Sequence, residues 1–162
     1  MKNTKEKIFK EFYLFMRDYL KVLKEAFNES IKLRDALRKN DISLIEKNIA
    51  KVENLEIKIK ILEETKENIL LKMAKALGIR KSEINWDLIE REGGKEISEL
   101  GKTIENSLNK LIDINIVNKL VIEKLILFNL SMRRIINSNK DEHLYDNRGD
   151  ITVNESSLLG EV

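Results

Sequence analysis

The chain has 162 residues, of which 42% are hydrophobic, 36% charged and 6% aromatic, with no proline, no cysteine and one histidine. A chain of this length can bury a core of its own, so disulfide-stapled scaffolds and zinc ribbons are excluded, and its Lys-, Glu- and Asn-rich polar content describes long helices rather than a β-sandwich. Thirty basic against 28 acidic side chains leave a net charge of +2, too balanced for a dedicated nucleic-acid binder, although residues 1–81 carry 20 basic against 13 acidic and residues 82–162 carry 10 against 15.

Apolar residues at Phe9, Phe12, Met16, Tyr19, Leu23, Ala26, Leu33 and Leu37 alternate three- and four-residue steps. This predicts a helix over about 4–38, with Asn3 and Glu6 as a capping pair and Ser30 standing where an apolar residue is due. The spacing of Phe9, Phe12, Tyr13, Phe15, Tyr19 and Phe27 assigns these aromatics to the core before a ligand site. Lys39-Asn40-Asp41 ends this helix and caps the next, over 42–77, whose seam runs through Ile45, Ile49, Val52, Leu55, Ile59, Leu62, Ile69, Met73 and Leu77. Gly78 followed by apolar Ile79 reads as a helix C-cap. A short connecting helix over 82–92, with its own capping candidate, carries Ile84, Trp86, Leu88 and Ile89 and ends at Gly93-Gly94.

A third long helix is expected over 95–137, with Leu111, Ile114, Val121, Leu125, Phe128, Met132 and Ile136 facing inward. Residues 141–162 lose the periodicity and hold six acidic residues against Arg148 alone, which reads as a flexible acidic tail. The predicted fold is therefore all-α: an elongated antiparallel bundle of three long helices with one short connecting helix occupies 1–140, and the tail follows. Charges at Arg17 and Asp18 interrupt any secretory segment, and no uncharged apolar run approaches membrane-spanning length. The expected location is the cytoplasm, with no membrane insertion and no nucleic acid bound.

The third long helix has a second apolar side. Ile112, Ile116, Leu120, Leu127 and Leu130 lie roughly 140° to 180° from the inward face at 100° per residue. Ile57 and Ile61, with Ala50, stand opposite the seam of the second helix, and the two extra faces together suggest a groove for a partner's amphipathic helix. Cover by the Trp86 segment or the tail, or by a second copy in a homodimer, are the alternatives. Asn115 and Asn118 fall near the inward face, either as a register device or as side chains that reach solvent or a backbone carbonyl. Catalysis finds no support. The single histidine, His143, has no Glu-x-x-His partner, Glu92-Gly93-Gly94-Lys95 is not a phosphate loop, and the glycine of Asp146-Asn147-Arg148-Gly149-Asp150 falls too early for a calcium loop.

Several of these segments together resemble the FlgN-type flagellar export chaperones. They are Leu37-Arg38-Lys39-Asn40-Asp41-Ile42 at the first turn, Leu70-Leu71-Lys72-Met73-Ala74-Lys75-Ala76-Leu77-Gly78, Asn115-Ile116-Val117-Asn118-Lys119-Leu120-Val121 leading into Leu127-Phe128, and Leu144-Tyr145-Asp146-Asn147-Arg148-Gly149. The resemblance implies a small cytoplasmic chaperone of flagellar type III secretion that uses no nucleotide or other cofactor. It would hold the terminal helical region of the hook-filament junction proteins FlgK and FlgL, prevent their aggregation and bring them to the flagellar export gate. A C-terminal tyrosine is linked to gate docking in such chaperones, and Tyr145, in its Tyr-x-x-x-Gly setting, matches it. The alternative is a structural coiled-coil homo-oligomer or adaptor without a secretion substrate.

Overall fold

A computed structural model describes the backbone of residues 2–148 and the side chains of residues 2–127, 130–135 and 137. It is all-α, with no strand among the described residues. Four helices follow one another: α1 (Lys2–Lys39), α2 (Ile42–Leu77), α3 (Trp86–Gly93) and α4 (Lys95–Arg148), with a 3-10 turn at Lys81–Glu83 before α3.

The helix boundaries follow from local chemistry. Asn40 takes a left-handed φ of 50°, and the N–H groups of Asn40 and Asp41 donate to the carbonyls of Leu37 and Ala36. These bonds satisfy two of the carbonyls that a helix end leaves without partners, and asparagine is the residue after glycine that tolerates this conformation. The Asp41 carboxylate then accepts from the Leu44 N–H at 3.1 Å and starts α2, as its position in the sequence predicts. Gly78, at φ 67°, closes α2 in the same way, with the Ile79 N–H donating to the Ala74 carbonyl at 3.1 Å.

Three boundaries differ from expectation. Asn3 lies inside α1, because the helix already runs at Lys2, so Asn3 and Glu6 do not form its start. The cap of the short helix is Asn85, whose side chain accepts from the Leu88 N–H at 2.8 Å, so α3 begins later than residue 82. Finally, α4 does not stop at Asn137 but continues to Arg148. Loss of apolar periodicity removes a packing signal, not helical propensity, and neither glycine nor proline interrupts residues 102–148. The first part of the expected tail is thus helical, and residues 149–162 lie outside the described residues.

The chain divides into two units, Met1–Asn118 and Lys119–Val162. In the first, Glu11 pairs with Lys72 and Tyr19 with Glu63, so partner numbers fall along α2 as they rise along α1. Along α4 they rise together: Phe9 lies beside Gly93 and Ile97, and Ser30 bonds to Asn115 and Asn118. The core is the continuous apolar face of α1, namely Phe9, Phe12, Met16, Tyr19, Leu23 and Ala26, closed by Leu55, Ile69 and Met73 of α2, Ile89 of α3 and Ile97, Leu111 and Ile114 of α4. Leu23 and Met73 have no exposed surface, and a buried aliphatic of this kind costs about 2–5 kcal/mol when cut to alanine.

Ser30 breaks the apolar repeat because it belongs to a polar contact. Its hydroxyl donates to Asn115 Oδ1 at 2.9 Å, and its backbone carbonyl accepts from Asn118 Nδ2 at 2.9 Å. Ser30 and Asn118 are both buried. Of the two readings of Asn118, the bond to a backbone carbonyl is therefore realised, and its partner is the residue that interrupts the α1 seam.

In the second unit, α4 continues from Lys119 to Arg148. Val121 and Leu125 are half-buried, whereas Met132, expected on the inward face, is exposed. The Phe128 and Ile136 side chains lie outside the described residues.

Candidate functional site

The apolar side chains expected to meet a partner are largely exposed. In the first unit Ile112 is 48% and Ile116 54% exposed, while Leu111 and Ile114, on the neighbouring face of the same helix, are buried. Ile57 and Ile61 of α2 are exposed as well. In the second unit Leu120 is 52% and Leu127 64% exposed, and Leu130 is half-buried. Exposed Val117, Ile126 and Ile135 add apolar surface that periodicity did not single out. The Tyr145 and His143 side chains lie outside the described residues.

A second feature of the first unit escaped the sequence reading: an apolar groove of about 470 Å³. Its floor is the face of α1 that carries Phe12, Phe15, Met16 and Tyr19, residues whose spacing of three or four puts them on one side of a helix. The rings of Phe12 and Phe15 stack at 6.3 Å between centroids, and those of Phe15 and Tyr19 at 5.9 Å. Stacking at this distance makes the floor stiff and wide. Leu70, Lys66 and Glu63 of α2 form one wall, and Ile104, Leu108 and Glu105 of α4 the other. Ile84, Asn85, Trp86, Ile89 and Gly101 complete the lining.

Gly101 explains how Trp86 reaches this position. A Cβ on Gly101 would collide with the indole ring, so the ring lies directly on the α4 backbone, and the indole N–H donates to Glu90. A glycine in the interior of a long helix costs about 1 kcal/mol in helical propensity, which close packing of the ring offsets. The aromatic crowding of α1 was legible as a core, and these residues do pack in the core. What spacing could not reveal is that a cavity between α2 and α4 reaches down to this buried face.

One polar cluster lies within the groove. The Tyr19 hydroxyl donates to Glu63 Oε1 at 2.8 Å, and the Lys66 ammonium donates to Glu63 Oε2. Burial works against ionising Glu63, but the hydrogen bonds from Lys66 and Tyr19 outweigh it and hold the carboxyl below its usual range. Tyr19 is pushed well above the ordinary phenol value, first by burial and then by its bond to the Glu63 carboxylate. The cluster is thus a fixed carboxylate with its acceptors engaged, suited to positioning rather than to proton transfer.

Among the described residues, no cluster of His, Cys, Asp and Glu side chains is arranged to hold a metal ion. No described helix is long and apolar enough to cross a membrane.

Comparison with known proteins identifies a family. The sequence profile of the FlgN family, described as FlgN protein, aligns with residues 17–152. No curated protein and no solved structure matches the chain. The aligned span takes in most of α1, all of α2 and α3 and the whole of α4, and therefore the exposed side chains of α4, whereas Phe12, Phe15 and Met16 of the groove precede it. The chain belongs to the FlgN family and is a FlgN-type flagellar export chaperone, a class of binding proteins rather than enzymes.

Proposed function

We propose that this chaperone acts in the cytoplasm on the hook-filament junction proteins FlgK and FlgL, holds their terminal helical regions and brings them to the flagellar export gate. The observation that supports substrate holding is the exposure of large aliphatic side chains on α4: Ile112 and Ile116 in the first unit, Leu120 and Leu127 in the second. Leaving such side chains in water forgoes about 1.5–3 kcal/mol each, and on a folded protein contiguous apolar surface usually marks a binding site. Leu130, Ile57 and Ile61 are assigned to the same task. A substrate helix that packs on such side chains hides its own apolar face, which prevents its self-association. Tyr145 takes the gate-docking role, by its position in the Tyr-x-x-x-Gly pattern.

Size-exclusion chromatography with light scattering tests the reading. The purified chain is run alone at several concentrations and then with the terminal helical region of a FlgK or FlgL protein from the same source. A defined heterocomplex that replaces the free species is expected. Mass that climbs with concentration and ignores the added segment would instead favour a homodimer or larger self-assembly through α4.

A further inference from the structure

We propose that the outward face of α1 docks on an anionic lipid membrane, held by charge and without insertion. The proposal concerns a surface that substrate holding does not use. At 100° per residue, the positions between residues 7 and 24 that fall in an arc of roughly 100° opposite the core face are Lys7, Lys10, Leu14, Arg17, Lys21 and Lys24. All six side chains are exposed. None of the five cations forms an ion pair among the described residues, whereas Lys5 and Lys32, just outside the row, are both paired. The row is about 26 Å long at 1.5 Å per residue.

Opposing charge around the row is sparse. Glu11 is taken by Lys72, Asp18 stands at one edge and Glu6 precedes the row. Glu25 follows it, in a hollow shared with Lys51 and Lys58 of α2, where Glu29 and Lys32 satisfy each other. On the other side, Lys110 of α4 lines a hollow with Lys24 and adds a further cation. The field over this face is therefore positive in a chain whose net charge is only +2. Two features select a lipid surface over a protein. The row is convex and offers one aliphatic side chain, Leu14, whereas stable protein interfaces bury an apolar centre from which lysine is depleted. Four of the five cations are lysines, flexible point charges that suit dispersed lipid phosphates better than the fixed paired geometry of arginine. Cations that point one way along a rigid helix meet a plane together, and each strengthens attachment to an anionic leaflet roughly fivefold. The apolar face of α1 is packed in the core, so the helix does not enter the bilayer.

Vesicle co-sedimentation of the full chain tests the proposal at low ionic strength, with phosphatidylcholine vesicles that either lack phosphatidylglycerol or contain about one-third of it. Binding is expected to the anionic vesicles alone, with release by salt. The triple variant Lys10→Gln, Arg17→Gln, Lys21→Gln should bind them about a hundredfold more weakly. A second triple variant, Lys47→Gln, Lys60→Gln, Lys75→Gln, removes the same charge from exposed, unpaired positions of α2 and should bind nearly as the parent chain does. All six positions are exposed and glutamine propagates a helix about as well as lysine or arginine, so both variants keep the fold, which circular dichroism verifies. Equal binding to neutral vesicles would assign attachment to the exposed aliphatic side chains of α4, and equal losses in the two variants would assign it to net charge. Capture of a glutamate-rich helical peptide or of duplex DNA through Lys10, Arg17 and Lys21, with no vesicle binding, would make the row a protein or nucleic-acid site. Each of these results, or no binding at all, would overturn the proposal.

Discussion

At the scale of single residues, Asn118 shows how a buried polar side chain can serve placement rather than stability. Its amide nitrogen reaches the Ser30 carbonyl, but its Oδ1 is buried without a partner. Asn118→Ala removes the bond and leaves a void, and a loss of about 1–3 kcal/mol is expected from urea denaturation midpoints. Asn118→Leu also removes the orphaned oxygen and fills the space, so it should cost less than the alanine variant or even stabilise the fold. Equal losses in both variants would mean that the hydrogen bond itself holds the two helices. Gly101 offers a second test. Gly101→Ala gains about 1 kcal/mol of helical propensity but displaces the Trp86 ring, so stability should change little while the Trp86 emission moves to the red. An unchanged emission maximum would show that the ring does not lie on the backbone in solution.

The Tyr19–Glu63–Lys66 cluster makes stability depend on pH at both ends. Glu63 has a lowered pKa in the folded chain, so its contribution is present above the unfolded carboxylate value of about 4.3 and is lost as pH falls through the folded value. Tyr19 has a raised pKa, so its contribution is complete below the unfolded phenol value of about 10 and is lost as pH rises beyond it. Glu63→Gln should flatten the acid limb of the stability profile, and Tyr19→Phe the alkaline limb. An acid limb unchanged in Glu63→Gln would assign it to other carboxylates.

At the scale of elements, the caps were legible and the lengths were not. Asp41 and Gly78 act through bonds to backbone groups within a few residues, so their roles are readable from local order. The end of α4 was misplaced because residues 138–148 carry no apolar repeat, yet the helix runs through them to Arg148. Gly78→Ala tests the cap: with φ at 67°, an added Cβ should cost about 1–2 kcal/mol, read as a lower thermal midpoint. No measurable loss would mean that the end of α2 frays and does not depend on the left-handed turn.

At the scale of the whole molecule, the exposed side chains of α4 separate binding from folding. Replacing Leu120 and Leu127 with aspartate should abolish capture of a junction-protein segment, while helicity by circular dichroism and the melting temperature stay nearly unchanged, because both side chains are already more than half exposed. A large fall in melting temperature would place them in a core. Deletion of residues 141–162 should spare capture and impair delivery to the export gate, and equal loss of both would count against a separate docking role for Tyr145.

Periodicity, composition and capping residues were enough to determine the helical class, the order of the long helices and the apolar side chains left over after one seam is filled. Each of these depends on neighbours within one or two turns. Only the tertiary structure decided that Ser30 and Asn118 meet across 88 positions of sequence, that Trp86 rests on Gly101, and that a cavity between α2 and α4 reaches the buried aromatic face of α1. A buried face and a binding face share the same spacing. What distinguishes them is how far apart the flanking helices stand, a distance set by packing between residues remote in the chain.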